Sequence, residues 1–250
     1  LEQIVQERVQ AKGADGKLVW DKHGQVRLVN LTEKLLVPLL AKLSNFIPGA
    51  GIWLNTQRPE WNDANNALVG NGCSMVTLYY IRRYLTFCQE LFRGRADQNF
   101  TLSAEVSAFL DALNLTLRRH RGMLGGKITD AQRHRIVDDL GSAGSEYRQR
   151  IYSGGFSQRK TPVSGQQLLD FFAFALDWTH HSIHTNRRPD GLYHSYNLVR
   201  LEDRKALPIR RLYEMLEGQV AVLSSGQLSA GESLTLLAAL KRGAMYRADQ

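Results

Sequence analysis

Residues 72–92, GCSMVTLYYIRRYLTFCQELF, predict a long α-helix. Val76, Tyr80, Tyr84, Phe87 and Leu91 recur at intervals of four, four, three and four residues, which is the spacing of one face of a helix. Such a row is expected to face the protein core. We therefore predict one long helix over this stretch, with the aromatic-rich row as its buried face.

Helical spacing and capping residues predict more helices on both sides of this one. Upstream, Asn30 and Glu33 resemble a capping box ahead of a leucine-rich segment that Pro48 and Gly49 end. Period-two alternation is scarce, and only residues 17–29 allow one small β-hairpin. We therefore predict an all-α fold of successive antiparallel helical hairpins. Downstream helices are predicted over residues 102–121, 130–151 and 165–179 and from a capping box at Ser229–Glu232 onward.

Charge and hydropathy exclude two classes of partner. The chain has 250 residues, with 32 Lys and Arg against 24 Asp and Glu, for a net charge of +8. The basic residues are mixed with acidic ones along predicted helices, which favours solvated surfaces over a nucleic-acid interface. No apolar run approaches the ~18 residues that span a bilayer, so we expect no membrane partner. The arginines form pairs or triplets at 82–83, 118–121, 133–135, 148–150 and 210–211.

Cysteine usage and motif content narrow the location and the chemistry. Only two cysteines are present, Cys73 and Cys88, and their spacing predicts reduced core thiols and a cytoplasmic protein. No phosphate-binding glycine loop, dinucleotide fingerprint or nucleophile elbow is found, which argues against a nucleotide-dependent enzyme. We expect one domain over residues 1–250, as a segment of a longer protein whose N- and C-terminal parts would be its partners.

The most polar segment lies just ahead of the long helix. Residues 55–66, NTQRPEWNDANN, combine two carboxylates, several amides, an arginine and an indole. A sugar site needs these groups, because an aromatic ring covers the apolar face of a pyranose, polar side chains bind hydroxyls and a carboxylic acid protonates the leaving oxygen. An Asx-rich turn that caps the following helix explains the same composition, and the residues alone leave both interpretations open.

A second polar segment follows the predicted helix at 165–179. Residues 180–197, HHSIHTNRRPDGLYHSYN, contain four histidines. His180 and His184 have a helical i, i+4 spacing, but the glutamate of the zinc-protease motif is missing, so no metal is predicted. The segment is interpreted either as a polar rim of an active site or as a structural turn around Pro189, Asp190 and Gly191.

The first segment resembles a known enzyme family. Glu60-Trp61-Asn62-Asp63, followed by Asn66, a glycine pair, Ser74 and a long helix, resembles the Asp-Trp-Asn-Asp loop of the cellobiose-phosphorylase family. The resemblance covers about residues 58–91. Glu60 stands where the family has Asp, Cys73 falls about where it has Glu, and the family's phosphate-binding elements are not recognisable.

The resemblance implies a fold and a function. It implies part of an (α/α)6 barrel of the six-hairpin glycosidase type, with Asp63 as the general acid and Trp61 as a sugar contact. The expected enzyme cleaves a β-glycosidic bond of an oligosaccharide with inversion, as a glycoside hydrolase or, with inorganic phosphate as co-substrate, as a glycoside phosphorylase. No other cofactor is expected, and a homo-oligomer is allowed. The alternative is a non-catalytic helical scaffold or a sugar-binding module.

Roles are assigned to further residues as hypotheses. A hydrolase also needs a base to activate water, for which Asp190, Glu214 and Glu217 are candidates. The predicted substrate-binding residues are Arg58, Glu60, Trp61, Asn62, Asn66, Asp190, Tyr193 and His194, and the candidate phosphate ligands are Arg187 and Arg188.

Overall fold

The computed structural model describes residues 2–21, 23–54, 68–200 and 205–249. It is 59% helical, but it also contains a curled five-stranded antiparallel sheet and a separate two-stranded sheet. The fold is therefore mixed α and β, and the prediction of an all-α fold of helical hairpins from an (α/α)6 barrel is wrong. The strands are two to five residues long, too short to produce a recognisable alternation in the sequence.

The described residues form eight helices and seven strands. The helices are α1 (Glu2–Lys12), α2 (Leu31–Leu43), α3 (Met75–Phe92), α4 (Ala104–Arg119), α5 (Asp130–Gly154), α6 (Gly165–His184), α7 (Leu216–Ser224) and α8 (Ala230–Arg242). The strands are β1 (Phe46–Ile47), β2 (Gly51–Trp53), β3 (Gly72–Ser74), β4 (Asn99–Ser103), β5 (Lys160–Ser164), β6 (Tyr196–Val199) and β7 (Ile209–Arg211). Two 3₁₀ turns cover Gly13–Lys17 and Arg121–Gly125.

The three helix starts that capping residues predicted are confirmed. The Asn30 side chain accepts a hydrogen bond of 2.9 Å from the Glu33 amide at the start of α2. Full capping boxes begin α5 and α8 as predicted. In a capping box, the side chain of each of two residues accepts a hydrogen bond from the backbone amide of the other. A third capping box, at Ser164, opens α6.

The buried face of α3 differs from the predicted one. Tyr80 and Phe87 are 47% and 52% exposed, whereas Leu78, Leu85 and Cys88 are at most 1% exposed. The helix carries apolar residues on more than one face, and its packing against α6 and α7 selects the face that is buried. The stripe predicted from local spacing is therefore wrong for α3. For α4 it is confirmed, because Leu102, Val106, Phe109, Leu113 and Leu117 are all buried.

Strands occupy the starts of two predicted helices. Residues 72–74 form β3 rather than the first turn of α3, and residues 99–103 form β4 ahead of α4. β4 pairs with β5, which precedes α6 in the same way. The possible hairpin over residues 17–29 is reduced to one bridge between Trp20 and Val26.

The five-stranded sheet has the order β1-β2-β3-β6-β7. Its register aligns Trp53, Cys73, Asn197 and Arg211 in one row across four strands. Because aligned residues on neighbouring strands point to the same face, these four side chains share one face of the sheet. Val137 of α5 packs on that face with Cys73. Among the described helices, none is long and apolar enough to cross a membrane.

Candidate functional site

The first polar segment falls in the range that the structure does not describe. The predicted acid Asp63 and the predicted sugar contacts Arg58, Glu60, Trp61, Asn62 and Asn66 all lie outside the described residues. Their roles stay predictions.

The two ends of that segment are held on adjacent strands. The amide of Leu54 donates a hydrogen bond of 3.0 Å to the carbonyl of Gly72, and the amide of Val199 donates one of 2.9 Å to the carbonyl of Asn71. Leu68 is 1% exposed and packs in a small apolar cluster. The chain thus leaves the sheet at β2 and returns at β3, with both ends anchored.

A cavity lies beside the point of return. It has a volume of about 550 Å³, within the ~300–1,000 Å³ usual for ligand sites. We call it the Asn71 cavity. Its described lining combines an amide and two guanidinium groups with apolar side chains. The lining residues are Asn71, Leu198, Arg200, Pro208, Ile209 and Arg210.

In the second polar segment, Arg188 is paired with two carboxylates. Its Nη2 lies 2.8 Å from Asp190 Oδ2 and 3.0 Å from Glu214 Oε2. The hydrogen bonds from Arg188 lower the pKa of the Asp190 carboxyl. The positive charge of Arg188 is therefore already compensated, which makes Arg188 a weaker candidate as a phosphate ligand. Arg187 is exposed, and its backbone pairs with that of Tyr193 in an isolated β-bridge.

Tyr193 and His194 are engaged in contacts within the protein. The backbone amide and carbonyl of Tyr193 both bond the Gln219 side chain, at 2.8 and 2.7 Å. His194 Nδ1 lies 3.2 Å from the Leu212 carbonyl oxygen. Burial, with smaller contributions from Arg211 and Arg188, lowers the pKa of His194 to about 4. This histidine is therefore a neutral, internally bonded group near pH 7.

The two polar segments attach at opposite ends of one strand pair. In the β3–β6 register, Gly72 faces Leu198 and Ser74 faces Tyr196. The first segment precedes β3 and so meets the Leu198 end, whereas the second precedes β6 and meets the Tyr196 end. The points at which the two polar segments join the sheet therefore lie at opposite ends of the β3–β6 pair.

A basic cavity that the sequence interpretation missed lies on the Asn197–Arg211 face of the sheet. Its volume is about 520 Å³. We call it the Arg133–Arg211 cavity. The arginines at 133–135 and 210–211 were interpreted as solvated, but Arg133 is only 7% exposed. No local pattern distinguishes Arg133 from the exposed arginines of α5. The lining residues are Pro48, Gly49, Leu124, Gly125, Gly126, Lys127, Ile128, Arg133, His181, His184, Thr185, Ile209 and Arg211.

Arg211 is held in this cavity by neutral oxygens. Its Nη1 donates to the Gly49 carbonyl at 2.9 Å, to Asn197 Oδ1 at 3.1 Å and to Asn186 Oδ1. Its Nη2 donates to the Thr185 carbonyl at 3.2 Å. Burial and, second, the nearby Arg133 lower the pKa of Arg211 to about 10. No carboxylate of the described residues pairs with it.

The histidine-rich stretch has other partners. His180 Nε2 lies 3.2 Å from Arg82 Nε, and burial lowers the pKa of His180. His181 Nε2 lies 3.0 Å from the Gly126 carbonyl. Within residues 2–21, 23–54, 68–200 and 205–249, no group of three or more His, Cys, Asp or Glu is arranged to hold a metal.

Comparison of the chain with models of known protein families and with curated protein sequences finds no match.

Proposed function

We propose that this protein is a carbohydrate-active enzyme that cleaves a β-glycosidic bond with inversion, using Asp63 as the general acid. The observation that carries the proposal is where the chain on either side of the polar segment lies. Its ends at Leu54 and Leu68 are anchored on or beside adjacent buried strands, and the returning end borders the Asn71 cavity, which has room for a sugar. The resemblance of residues 60–63 to the cellobiose-phosphorylase loop supplies the chemistry.

In the proposed reaction, Asp63 donates its proton to the departing glycosidic oxygen. Trp61 covers the apolar face of the sugar beside the bond, and the amides of Asn62 and Asn66 bind hydroxyls. A nucleophile attacks the anomeric carbon from the opposite side, so the configuration inverts. Because both cysteines are free and buried, we place the reaction in the cytoplasm.

The nucleophile is water or phosphate. Water needs a second carboxylate, ~6.5–9.5 Å from the acid, to act as base. Asp190 is a poor base, because its pairing with Arg188 lowers the pKa of its carboxyl. Glu217 and Glu214 remain as candidates. Phosphate attacks without a catalytic base, so phosphorolysis does not need any of the three.

The test is product analysis with matched variants. The protein is incubated with a panel of β-linked disaccharides, with and without inorganic phosphate, and free sugar and sugar phosphate are measured. Asp63→Asn should lower the rate by ~10² or more, because it removes the proton donor. Asp170→Asn is the control and should leave the rate unchanged, because Asp170 is an exposed carboxylate on α6 that accepts a hydrogen bond from Gln166.

Two results would reject the proposal. An Asp63→Asn variant with full activity would exclude this residue as the acid. Binding of oligosaccharides without cleavage under either condition would instead support the sugar-binding module.

A further inference from the structure

The Arg133–Arg211 cavity contains more positive than negative charge. Arg133 comes from the first turn of α5, Arg211 from β7 and Lys127 from the loop ahead of α5. Of these cations, Arg133 is bonded to a carboxylate, that of Asp130. His181 and His184, from the last turn of α6, complete the basic lining.

Arg133 is a fixed part of the cavity wall. Its Nε donates to the Pro48 carbonyl at 2.8 Å, and Nη1 donates to the Leu207 carbonyl at 2.8 Å. Nη2 donates to the Ile128 carbonyl at 3.2 Å. These bonds hold the guanidinium between the sheet and the start of α5.

Arg211 has donors without acceptors. A guanidinium carries five N–H groups. Nη1 bonds three neutral oxygens, whereas Nη2 has one acceptor, the Thr185 carbonyl, for its two hydrogens. The described residues supply no acceptor for Nε–H or for the second Nη2–H. In a guanidinium, Nε–H and one Nη2–H lie on one edge of the plane, where they form a fork that fits two oxygens of an oxyanion.

The electrostatic situation favours an anion in the cavity. A half-buried cation without a carboxylate partner is unfavourable, and a second buried cation beside it adds repulsion. The lowered pKa of Arg211 reflects both effects. A ligand with two negative charges relieves the repulsion and uses the free fork. A single carboxylate compensates less of the charge.

We propose that the Arg133–Arg211 cavity binds a phosphate group, with Arg211 as the bidentate ligand and Lys127 at the rim. The volume of about 520 Å³ exceeds the need of inorganic phosphate and accommodates a phosphate ester of a small sugar. The site is separate from Arg187 and Arg188, the arginines predicted from the sequence. The inference does not depend on glycoside cleavage, since it rests on the cavity alone.

The test is direct binding by titration calorimetry with the whole chain. Inorganic phosphate and a hexose 1-phosphate are titrated separately, and their relative affinities identify the free anion or the ester as the ligand. Arg211→Gln should weaken binding by about tenfold or more, because it removes a charged, bidentate donor. Arg135→Gln is the matched control, since Arg135 lies two residues from Arg133 on α5 but is exposed and lines neither cavity.

A second variant distinguishes loss of the binding site from misfolding of the protein. Lys127 is exposed and lies outside the hydrogen-bond network of Arg211, so Lys127→Ala should fold normally and still weaken binding about threefold. Absence of binding of either phosphate compound at ~20 mM would overturn the proposal. Equal weakening by Arg135→Gln and Arg211→Gln would also overturn it, because nonspecific attraction to a basic surface would then explain the binding.

Discussion

The Asn186 side chain is the strongest candidate for a single buried group that holds the end of α6 to the five-stranded sheet. It is fully buried, and its Nδ2 donates to the Gly49 carbonyl at 2.8 Å and to the Ser182 carbonyl at 2.7 Å. Its Oδ1 accepts from Asn197 Nδ2 at 2.9 Å and from Arg211 Nη1. It therefore joins the end of α6 to the β1–β2 turn, β6 and β7. We predict that Asn186→Ala destabilises the protein strongly.

The magnitude follows from the four lost hydrogen bonds. Three are neutral, worth about 1 kcal/mol each, and the bond from Arg211 is charge-assisted, worth about 1.5–3 kcal/mol. The partners keep other bonds: the Gly49 carbonyl still accepts from Arg211, and Asn197 Nδ2 still donates to the Ala50 carbonyl. No partner is left orphaned, so the full desolvation penalty is avoided. We expect a loss of about 4.5–6 kcal/mol in the free energy of unfolding.

Urea unfolding followed by circular dichroism measures this loss. Asn45→Ala is the matched control, because the Asn45 amide bonds the Ala41 carbonyl at 2.8 Å in a more exposed position. It should cost less than ~1 kcal/mol. If Asn186→Ala also cost less than ~1 kcal/mol, the network would not hold α6 to the sheet, and the account of the Arg211 environment would fail with it.

The remaining predictions concern a buried and an exposed tyrosine, a crowded and an open glycine, and one buried histidine. Tyr79→Phe removes a buried hydroxyl that donates to the His194 carbonyl at 2.9 Å and should cost about 1–2 kcal/mol, whereas Tyr80→Phe, on the exposed side, should stay within ~0.5 kcal/mol. Gly51 has a φ of +114°, and Gly51→Ala would place Cβ 2.5 Å from a carbonyl oxygen of β3, so this change should destabilise the protein by more than ~3 kcal/mol. Gly24 has a φ of +72° with open space around it, so Gly24→Ala should cost about 1–2 kcal/mol. Thermal unfolding measures both pairs, and equal effects within a pair would contradict the packing. Burial lowers the pKa of His194 from its ordinary 6.5 to about 4. When the pH is lowered, His194 is therefore protonated in the unfolded chain before it is protonated in the folded protein. Stability should fall as the pH drops from 6.5 towards 4 and stay level above this window, and His194→Gln should flatten that fall in urea midpoints.

The helices were predictable because their signals are local. The caps at Asn30, Thr129 and Ser229 involve groups three residues apart, and each one marks the observed start of its helix. The buried stripe of α4 was likewise predictable from spacing. The stripe of α3 was not, because that helix is apolar on more than one face, and contacts with α6 and α7 select which face is buried.

The sheet and the basic cavity depend on residues far apart in the sequence. β3 of three residues gains its stability from pairing with β2 and β6, and more than a hundred residues separate β3 from β6, so no local pattern reveals it. The cavity places Arg211 beside Arg133 and Gly49 through bonds to carbonyls and amides of distant elements. The sequence by itself determined where α2, α5 and α8 begin, which residue types could carry sugar chemistry and which cofactor motifs are missing. Only the tertiary structure decided which arginines are buried and which lack a carboxylate partner. Burial and pairing depend on groups far apart in the sequence that folding brings together.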